Sequence, residues 1–560
     1  MYKDTLLELL EPHQTRQEGA AAFSFWDGAR PLGLRKNLTY RGLRKKALAF
    51  SYALHNYLKI VPGERVAFFL GNTLQFPIAY FGTLYAGAIP VPVNPLLKSE
   101  EISKILKNAG VSAAVMMDLL YPRIGEAVFG AGARSVMVTN VDDTLPLFKV
   151  GGRFLKEIFG KKTANKSPEI MYDNERIFNW SEILAASSGQ RFSAHSKPKD
   201  IALFLYTSGT TGEPKAVVFT HEALLENARA CQKLLLFDLN IGKGATFLAA
   251  APYFHIMGLA ALLHTSLLMD AKTILIADKD FFSLNRKILE AANYLKADAF
   301  VGAPRNYEFM IRALQHKTIK YDLSSLKLCI SGSARLGEET RRKFENLCGV
   351  KIIEGYGMSE GGIFACQKPW KAKNGSVGRA LDGVSLKLLN QDENGVGELL
   401  TKNRGIMLGY WKEKGGIDLE KTSSVFDKDG WFHTGDTARV DEDGDVFLMD
   451  RVDDVIKLSG GEKISALEIE ECIARHPHVS ESAVVRMANA KGRDIMKAFV
   501  VLRDPKMSCG DFVKTEILKY CRESLPPYKV PDAVECVPEL PKNAFGKVLK
   551  KQLRQMVNGS

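Results

Sequence analysis

The sequence is sparing with cysteine and does not group what it has. Its eight cysteines (Cys231, Cys329, Cys348, Cys366, Cys472, Cys509, Cys521 and Cys536) are scattered and form no C-x-x-C pair. Neither a zinc site nor a disulfide framework is therefore indicated, and a reducing, cytoplasmic setting is expected. No apolar run reaches the roughly 18 to 20 residues that a membrane span needs. The opening stretch "MYKDTLLELLEPHQ" has no basic region followed by an apolar one, so a chain neither secreted nor integral to a membrane is expected. Internal repeats and low-complexity tracts are missing, as is any base-stacking aromatic module or DNA-binding motif, so nucleic acid is not an expected partner. Acidic residues are the scarcer charge, 64 against 76 lysines and arginines, leaving a net +12. That balance favours anionic partners in general without choosing among nucleotides, nucleic acid and an anionic membrane face.

What is present is a globular composition, 46% hydrophobic and 25% charged, over 560 residues, long enough for two to four structural units. Short β-rich runs ("ERVAFFL", "AIPVPV", "SAAVMM", "IALFLY", "TILIA", "KLCIS") alternate with helical stretches such as "SEEISKILKNAG" and "GEETRRKFENLCG". Such alternation predicts an α/β domain with largely parallel, buried strands. Past about residue 376 the pattern changes to short strands with glycine turns, and "GVSLKLLNQDENGVGELLTKN" and "ARVDEDGDVFLMD" read as hairpins. A second small α/β unit follows, with helix, strand, strand and helix between "SALEIEECIARHP" and "GDFVKTEILKYCRESL". The predicted division is a large N-terminal domain over 1–450, a polar joint at 451–453 and a small C-terminal domain over 454–560. Residues 146–166 stand apart: Phe148, Phe154, Leu155, Ile158 and Phe159 mix with Lys149, Arg153, Lys156, Lys161 and Lys162. Residues 148–162 read either as a peripheral membrane contact or as a solvated loop packing its aromatics on its own domain.

The stretch "LYTSGTTGEPKAVVFTH" is the strongest chemical signal. A Walker loop would need four residues between its glycines and a lysine leading into a helix. Here two residues separate Gly209 from Gly212, and Lys215 leads into the strand pattern "AVVF". The alternative is a strand–loop–strand in which glycines permit close backbone approach and the hydroxyls of Thr207, Ser208, Thr210 and Thr211, with Lys215, meet phosphate oxygens.

"YTSGTTGEPKAV" resembles the phosphate loop of the adenylate-forming (AMP-binding) superfamily, with Ala216 where that family usually has glycine. The resemblance extends in order through "LTYRGLRKKALAFSYAL", "GERVAFFLGNTLQFPIAYFGTLYAGAIPVPVNP", "APYFHIMGL", "EGYGMSE", "NGSVGRALDG", "GVGELLTKNRGIMLGY", "WFHTGD", "DRVDDVIKLSGGEKISALEIE" and "PKNAFGKVLKK". It implies an α/β fold with a large N-terminal domain and a small mobile C-terminal α+β domain. The implied activity is that of an acyl-CoA synthetase of the fatty-acid branch, using ATP, Mg2+ and coenzyme A.

By the same resemblance, residues Thr207 to Gly212 (Thr207, Ser208, Gly209, Thr210, Thr211, Gly212) and Lys215 would hold ATP phosphates. Gly355, Tyr356, Gly357, Met358 and Ser359 would line the nucleotide, with the Tyr356 ring against adenine, Ser359 near the α-phosphate and Glu360 on magnesium. Asp436 and Arg451 would hold the ribose. Ser333, Ala334 and Arg335 match the adenine-flanking segment, with Ser333 and Arg335 in place of the usual glycine and proline. Lys547 would be the catalytic lysine, Asp453 the hinge, and Gly460 and Gly461 the backbone past which the coenzyme A thiol arm moves. His255 would gate or line the acyl channel, or serve as a satisfied core residue. Phe254 and His255 stand where an amino-acid-activating relative carries an aspartate, which favours an acid without an α-amino group. Gly361 and Gly362 are expected to leave room at the pocket floor for a fatty acid, an aryl acid being the alternative. An acyl carrier protein is the alternative acceptor to coenzyme A.

Overall fold

The computed structural model describes residues 2–13, 16–26, 35–140, 143, 170–208, 214–276, 281–315, 320–413, 415–452, 456–457, 463–464, 466–488, 494–504, 507, 510–542 and 547–557. The basic aromatic segment 148–162 lies outside them, as do Gly209, Thr210, Thr211, Gly212, Asp453, Gly460 and Gly461.

The apolar runs form the strands predicted for them. Arg65–Phe69, Ile89–Pro92, Val111–Met117, Ser135–Thr139 and Ile177–Asn179 make a parallel five-stranded sheet. A second sheet of nine strands has a parallel centre, running from Ile352–Met358 through Leu328–Ser331, Ala299–Gly302, Thr246–Ala249 and Lys272–Ile276 to Ala21–Trp26. Its edges turn antiparallel through Gly362–Cys366 on one side and Arg35–Thr39 on the other. Parallel strands must be covered on both faces, and the helices supply the cover. Helix Gln75–Tyr85 is buried at every position, and helix Tyr40–Asn56 packs on it closely enough that a Cβ on Gly82 would stand 2.7 Å from the Ala47 carbonyl oxygen.

Four further sheets complete the fold among the described residues, one of them the short antiparallel pair Ile456–Lys457 with Lys463–Ile464. The strands flanking the phosphate-loop candidate, Ile201–Ser208 and Pro214–Thr220, pair antiparallel, and Gly409–Trp411 adds to the second of them. Ser385–Leu389, Gly397–Lys402, Phe432–Val440 and Val446–Arg451 form an antiparallel sheet from the two predicted hairpins. Beyond residue 466, strands Val479–Ala488, Asp494–Leu502 and Ala533–Cys536 carry helices Ala466–Ala474, Asp511–Ser524 and Lys550–Val557. This small module has apolar clusters of its own, around Ile469, Ile473, Val500 and Ile517 and around Val485, Phe499 and Leu553. The clusters of the large domain draw only on residues up to 448 among those described. The architecture is thus a large α/β N-terminal domain with a C-terminal α+β domain.

One expectation is overturned here. Cys536, at the end of its strand, is disulfide-bonded, whereas Cys231, Cys329, Cys348, Cys366, Cys472 and Cys521 are free. The bond is set by which chain segments the fold brings together, and scattered spacing carries no sign of that. No helix among the described residues is long and apolar enough to cross a membrane.

Candidate functional site

The site is built where three antiparallel turns meet the end of the parallel sheet. Strand Ile352–Met358 runs out of the nine-stranded sheet and folds back through Ser359–Gly361 into Gly362–Cys366. The turn is tight: a Cβ on Gly357 would lie 2.1 Å from the Gly362 carbonyl oxygen, so glycine is required there. The reversal leaves Glu360 and half-buried Ser359 at the tip.

Glu360 accepts a hydrogen bond from the Tyr410 hydroxyl at 3.1 Å. Its backbone carbonyl takes the Met407 N–H at 2.7 Å, which ties the tip to the segment leading into Gly409–Trp411. Burial pushes the Glu360 carboxyl above the ordinary carboxylate range, opposed by the Tyr410 hydrogen bond and by the positive charges of Arg451 and Lys215. Lys215 sits across from Thr207 in the antiparallel pair, with its Nζ 5.6 Å from the centre of the Tyr410 ring. The lysine of the phosphate-loop candidate therefore faces the same point as the half-buried acid.

Tyr356, 7% exposed, donates its hydroxyl to Asp436 Oδ2 at 2.6 Å, and Arg451 Nη1 donates to Asp436 Oδ1 at 2.8 Å. Asp436 and Arg451 are register partners of neighbouring strands, so the sheet itself holds the pair. Both carboxylate oxygens are engaged, yet each keeps a second lone pair, enough to accept two hydroxyls. Tyr356, Asp436, Arg451, Glu360, Tyr410 and Lys215 thus form one electrostatic group drawn from three sheets.

The group joins an anchored carboxylate, a half-buried acid and the lysine of the phosphate-loop candidate. The family model of the AMP-binding enzyme matches residues 10–411, and that of the AMP-binding enzyme C-terminal domain matches residues 468–547. The chain belongs to the AMP-binding enzyme family. The "Long-chain-fatty-acid--CoA ligase" of Bacillus subtilis (strain 168) is 33% identical over 98% of this chain and 94% of that protein. That of Yersinia pestis is 30% identical over 98% and 94%. Among solved structures, the anthranilate CoA ligase AuaEII in complex with anthranoyl-AMP superposes with a TM-score of 0.79 at 25% identity, covering 99% of this chain and 97% of that one.

In this AMP-binding enzyme the segment around Ser333 and the stretch "APYFHIMGL" touch. Ser333 adopts φ of 71° and brings its hydroxyl to 3.7 Å from Met257 Sδ, and a Cβ on Gly332 would lie 3.3 Å from the same sulfur. The segment is anchored by buried Glu354, which accepts the Leu336 N–H at 3.0 Å and pairs with Arg341. Arg335 turns outward to Glu471 of the small module. His255 accepts the Met257 N–H at Nδ1, 3.3 Å away, and burial drops its pKa to about 4, so the ring is neutral near pH 7. Lys547 is exposed, one residue before Val548, which bridges Lys542.

One reading is corrected and three residues were missed. Gly361 and Gly362 do not open a pocket floor: a Cβ on Gly361 would meet the Phe364 ring at 2.6 Å, and one on Gly362 would meet Asn227 Oδ1 at 2.4 Å. The glycines admit neighbours that already fill the space. Buried Asn227 also donates to the Gly405 carbonyl at 2.8 Å and so braces both strands behind Glu360. Tyr410 lay within a quoted motif, "GIMLGY", but nothing in its spacing marks it as a partner of the acid. Asn72, which donates to the Ala249 and Ala251 carbonyls and accepts the Tyr253 N–H, fixes the acyl motif and was likewise missed. A cleft of about 140 Å³ lined by Cys366, Lys368, Trp370 and Arg379 lies off this group and shares no residue with it.

Proposed function

We propose that the protein is an ATP-dependent acyl-CoA synthetase that activates a fatty acid as acyl-AMP and then forms the coenzyme A thioester. The observation that carries this reading is the joining of Tyr356, Asp436 and Arg451 with Glu360, Tyr410 and Lys215. The two CoA ligase relatives named above support the acid–thiol step, and their printed substrate supports the fatty acid.

In the first step a carboxylate oxygen of the acid attacks the α-phosphorus of ATP, and the bond to the bridging oxygen breaks to release pyrophosphate. Catalysis of such transfers is mostly positioning and charge stabilisation. Asp436 accepts the ribose hydroxyls, Arg451 keeps Asp436 ionised and oriented, and the Tyr356 ring closes one side of the nucleotide. Thr207, Ser208 and Lys215, with the glycines and threonines up to Gly212, hold the outer phosphates. Glu360 fits magnesium: it is a single half-buried carboxylate, and a hard cation needs few carboxylates when phosphate oxygens complete its shell. Held by Glu360, a magnesium ion would supply charge neutralisation at the phosphates. Ser359 donates to an α-phosphate oxygen. His255, neutral, lines the acyl entrance without placing a charge there.

Lys547 meets the negative charge that grows between the attacking carboxylate and the phosphate. One charge at about 4 Å in an effective dielectric near 20 is worth roughly 4 kcal/mol, nearly three decades in rate. In the second step the thiol of coenzyme A, having lost its proton, attacks the acyl carbon, and AMP leaves. For this the module beyond the joint at 451–453 turns about Asp453, withdrawing Lys547 and presenting Gly460 and Gly461 to the thiol arm.

The test is pyrophosphate release with magnesium and ATP over a panel of fatty, aryl and amino acids, with and without coenzyme A, for native protein and Lys547→Ala. Release that depends on a fatty acid, falls about a thousandfold in the variant and yields acyl-CoA supports the reading. Release with aryl acids alone would reassign the substrate, and acyl-adenylate that turns over only on a carrier protein would reassign the acceptor.

A further inference from the structure

Arg335 belongs to a rigid piece of the large domain. Its segment is pinned by the Leu336 N–H to buried Glu354, by the Arg341–Glu354 pair behind it and by Met257 against Gly332 and Ser333. The sequence has arginine here where the family it resembles usually has proline, which could make no ion pair. Glu471 belongs to an equally rigid piece of the small module. Helix Ala466–Ala474 buries Ala466, Ile469, Cys472 and Ile473 in that module's own core. Its neighbour Glu470 faces inward, accepting from Lys550 at 2.8 Å and from the Val484 N–H at 2.7 Å. Glu471 faces out, and its Oε1 meets Arg335 Nη1 at 2.5 Å.

We propose that Arg335 and Glu471 form a clasp that seats the small module against the nucleotide side of the large domain, making Glu471 a positioning residue for the step that uses Lys547. A second contact lies on the same approach. Lys542, which closes the short hairpin before Lys547, pairs with Glu481 at 2.5 Å, and both act electrostatically on Glu308 of helix Pro304–Gln315 in the large domain. The Lys542–Val548 bridge beside Lys547 therefore lies on the side of the large domain when Arg335 and Glu471 are joined. Two further links, Leu467 N–H to Asp450 Oδ2 at 3.4 Å and Lys550 to Asp450 at 3.9 Å, lie beside the joint and constrain the module's orientation less than a clasp reaching back to residue 335. Both partners of the clasp are about two-fifths exposed (43% and 40%), so the pair is weak enough to open in each cycle and is weakened by salt.

The inference rests on the proposed two-step reaction. The experiment measures each half separately in Glu471→Gln, Glu471→Arg and the exchanged pair Arg335→Glu/Glu471→Arg: acid-dependent ATP–pyrophosphate exchange for the first half, and thioester formation from supplied acyl-adenylate for the second. Exchange should fall about two- to fivefold in Glu471→Gln, the range that an exposed pair allows, and further in Glu471→Arg, while the second half is unchanged. Recovery in the exchanged pair is expected. An unchanged exchange rate in Glu471→Arg, or equal losses in both halves, would overturn the clasp. Small-angle scattering reads the clasp without activity: Glu471→Arg should give a more extended particle than native protein, and superimposable curves would reject the proposal even if exchange had fallen. Absence of exchange in the native protein would instead count against the two-step reading, with the scattering comparison still deciding the clasp.

Discussion

A cluster of three aspartates and a solitary glutamate in the large domain invite opposite readings. Asp441, Asp443 and Asp445 converge within a single hairpin, close enough for a metal ion to reach all three. Glu360 stands alone. Yet the three aspartates are already neutralised. Lys373 bonds Asp441 and Asp443 at 2.6 Å each, and Arg379 reaches Asp445 at 3.2 Å. The hairpin is cross-braced to residues 373–379, with a cation in the position a metal would take. Glu360 has a neutral tyrosine as its hydrogen-bonding side-chain partner and feels its cations only at a distance. The lesson is that half-buried negative charge held in reserve marks a site better than the number of carboxylates.

Removing that charge gives the largest expected effect. Glu360→Gln should lower the adenylation rate by about two to three decades, the value of a unit charge near the phosphates, and raise the magnesium needed for half-maximal rate. A rate within twofold of native would end the comparison. Tyr410→Phe removes one hydrogen bond to a charged acceptor, worth about 1.5–3 kcal/mol, so a loss of roughly tenfold to a hundredfold is expected, with unfolding temperature little changed.

Acid separates the two places next. Glu360 is raised above its ordinary value of 4.5 by burial, so it takes up its proton early as pH falls. Asp441 and Asp443 are held below their ordinary 3.8, chiefly by the Lys373 hydrogen bonds, so the stability they contribute is present above that value and is lost only as pH falls through their lowered values. Adenylation should therefore fail at a pH where thermal unfolding is still native-like. Coincident loss of rate and fold would contradict the assignment of Glu360. Asp443→Asn completes the series with the smallest effect: rate and magnesium dependence should match the native enzyme, and a raised magnesium requirement would make the aspartate hairpin the metal site after all.

Much of the scaffold was legible because strands buried on both faces read as short apolar runs and hairpins announce themselves by glycine. The pairing of Asp436 with Arg451 followed from two motifs that the fold makes adjacent. What sequence could not carry was occupancy. Two consecutive glycines after Glu360 suggested open space, but a helix more than a hundred residues earlier in the chain sends Asn227 into it. Tyr410 looked like any strand tyrosine before a tryptophan, and Cys536 gave no hint of its bond. For Gly362 and for Glu360 the deciding neighbour is distant in the chain.

The separate cores of the two modules bear on how the protein is made. Translation runs from the amino end, and domains generally fold as units as they emerge. The nucleotide cradle, complete at Arg451, can close while the segment carrying Lys547 is still to be synthesised. On the proposed reading, a nascent chain would hold ATP before the segment carrying Lys547 had been made.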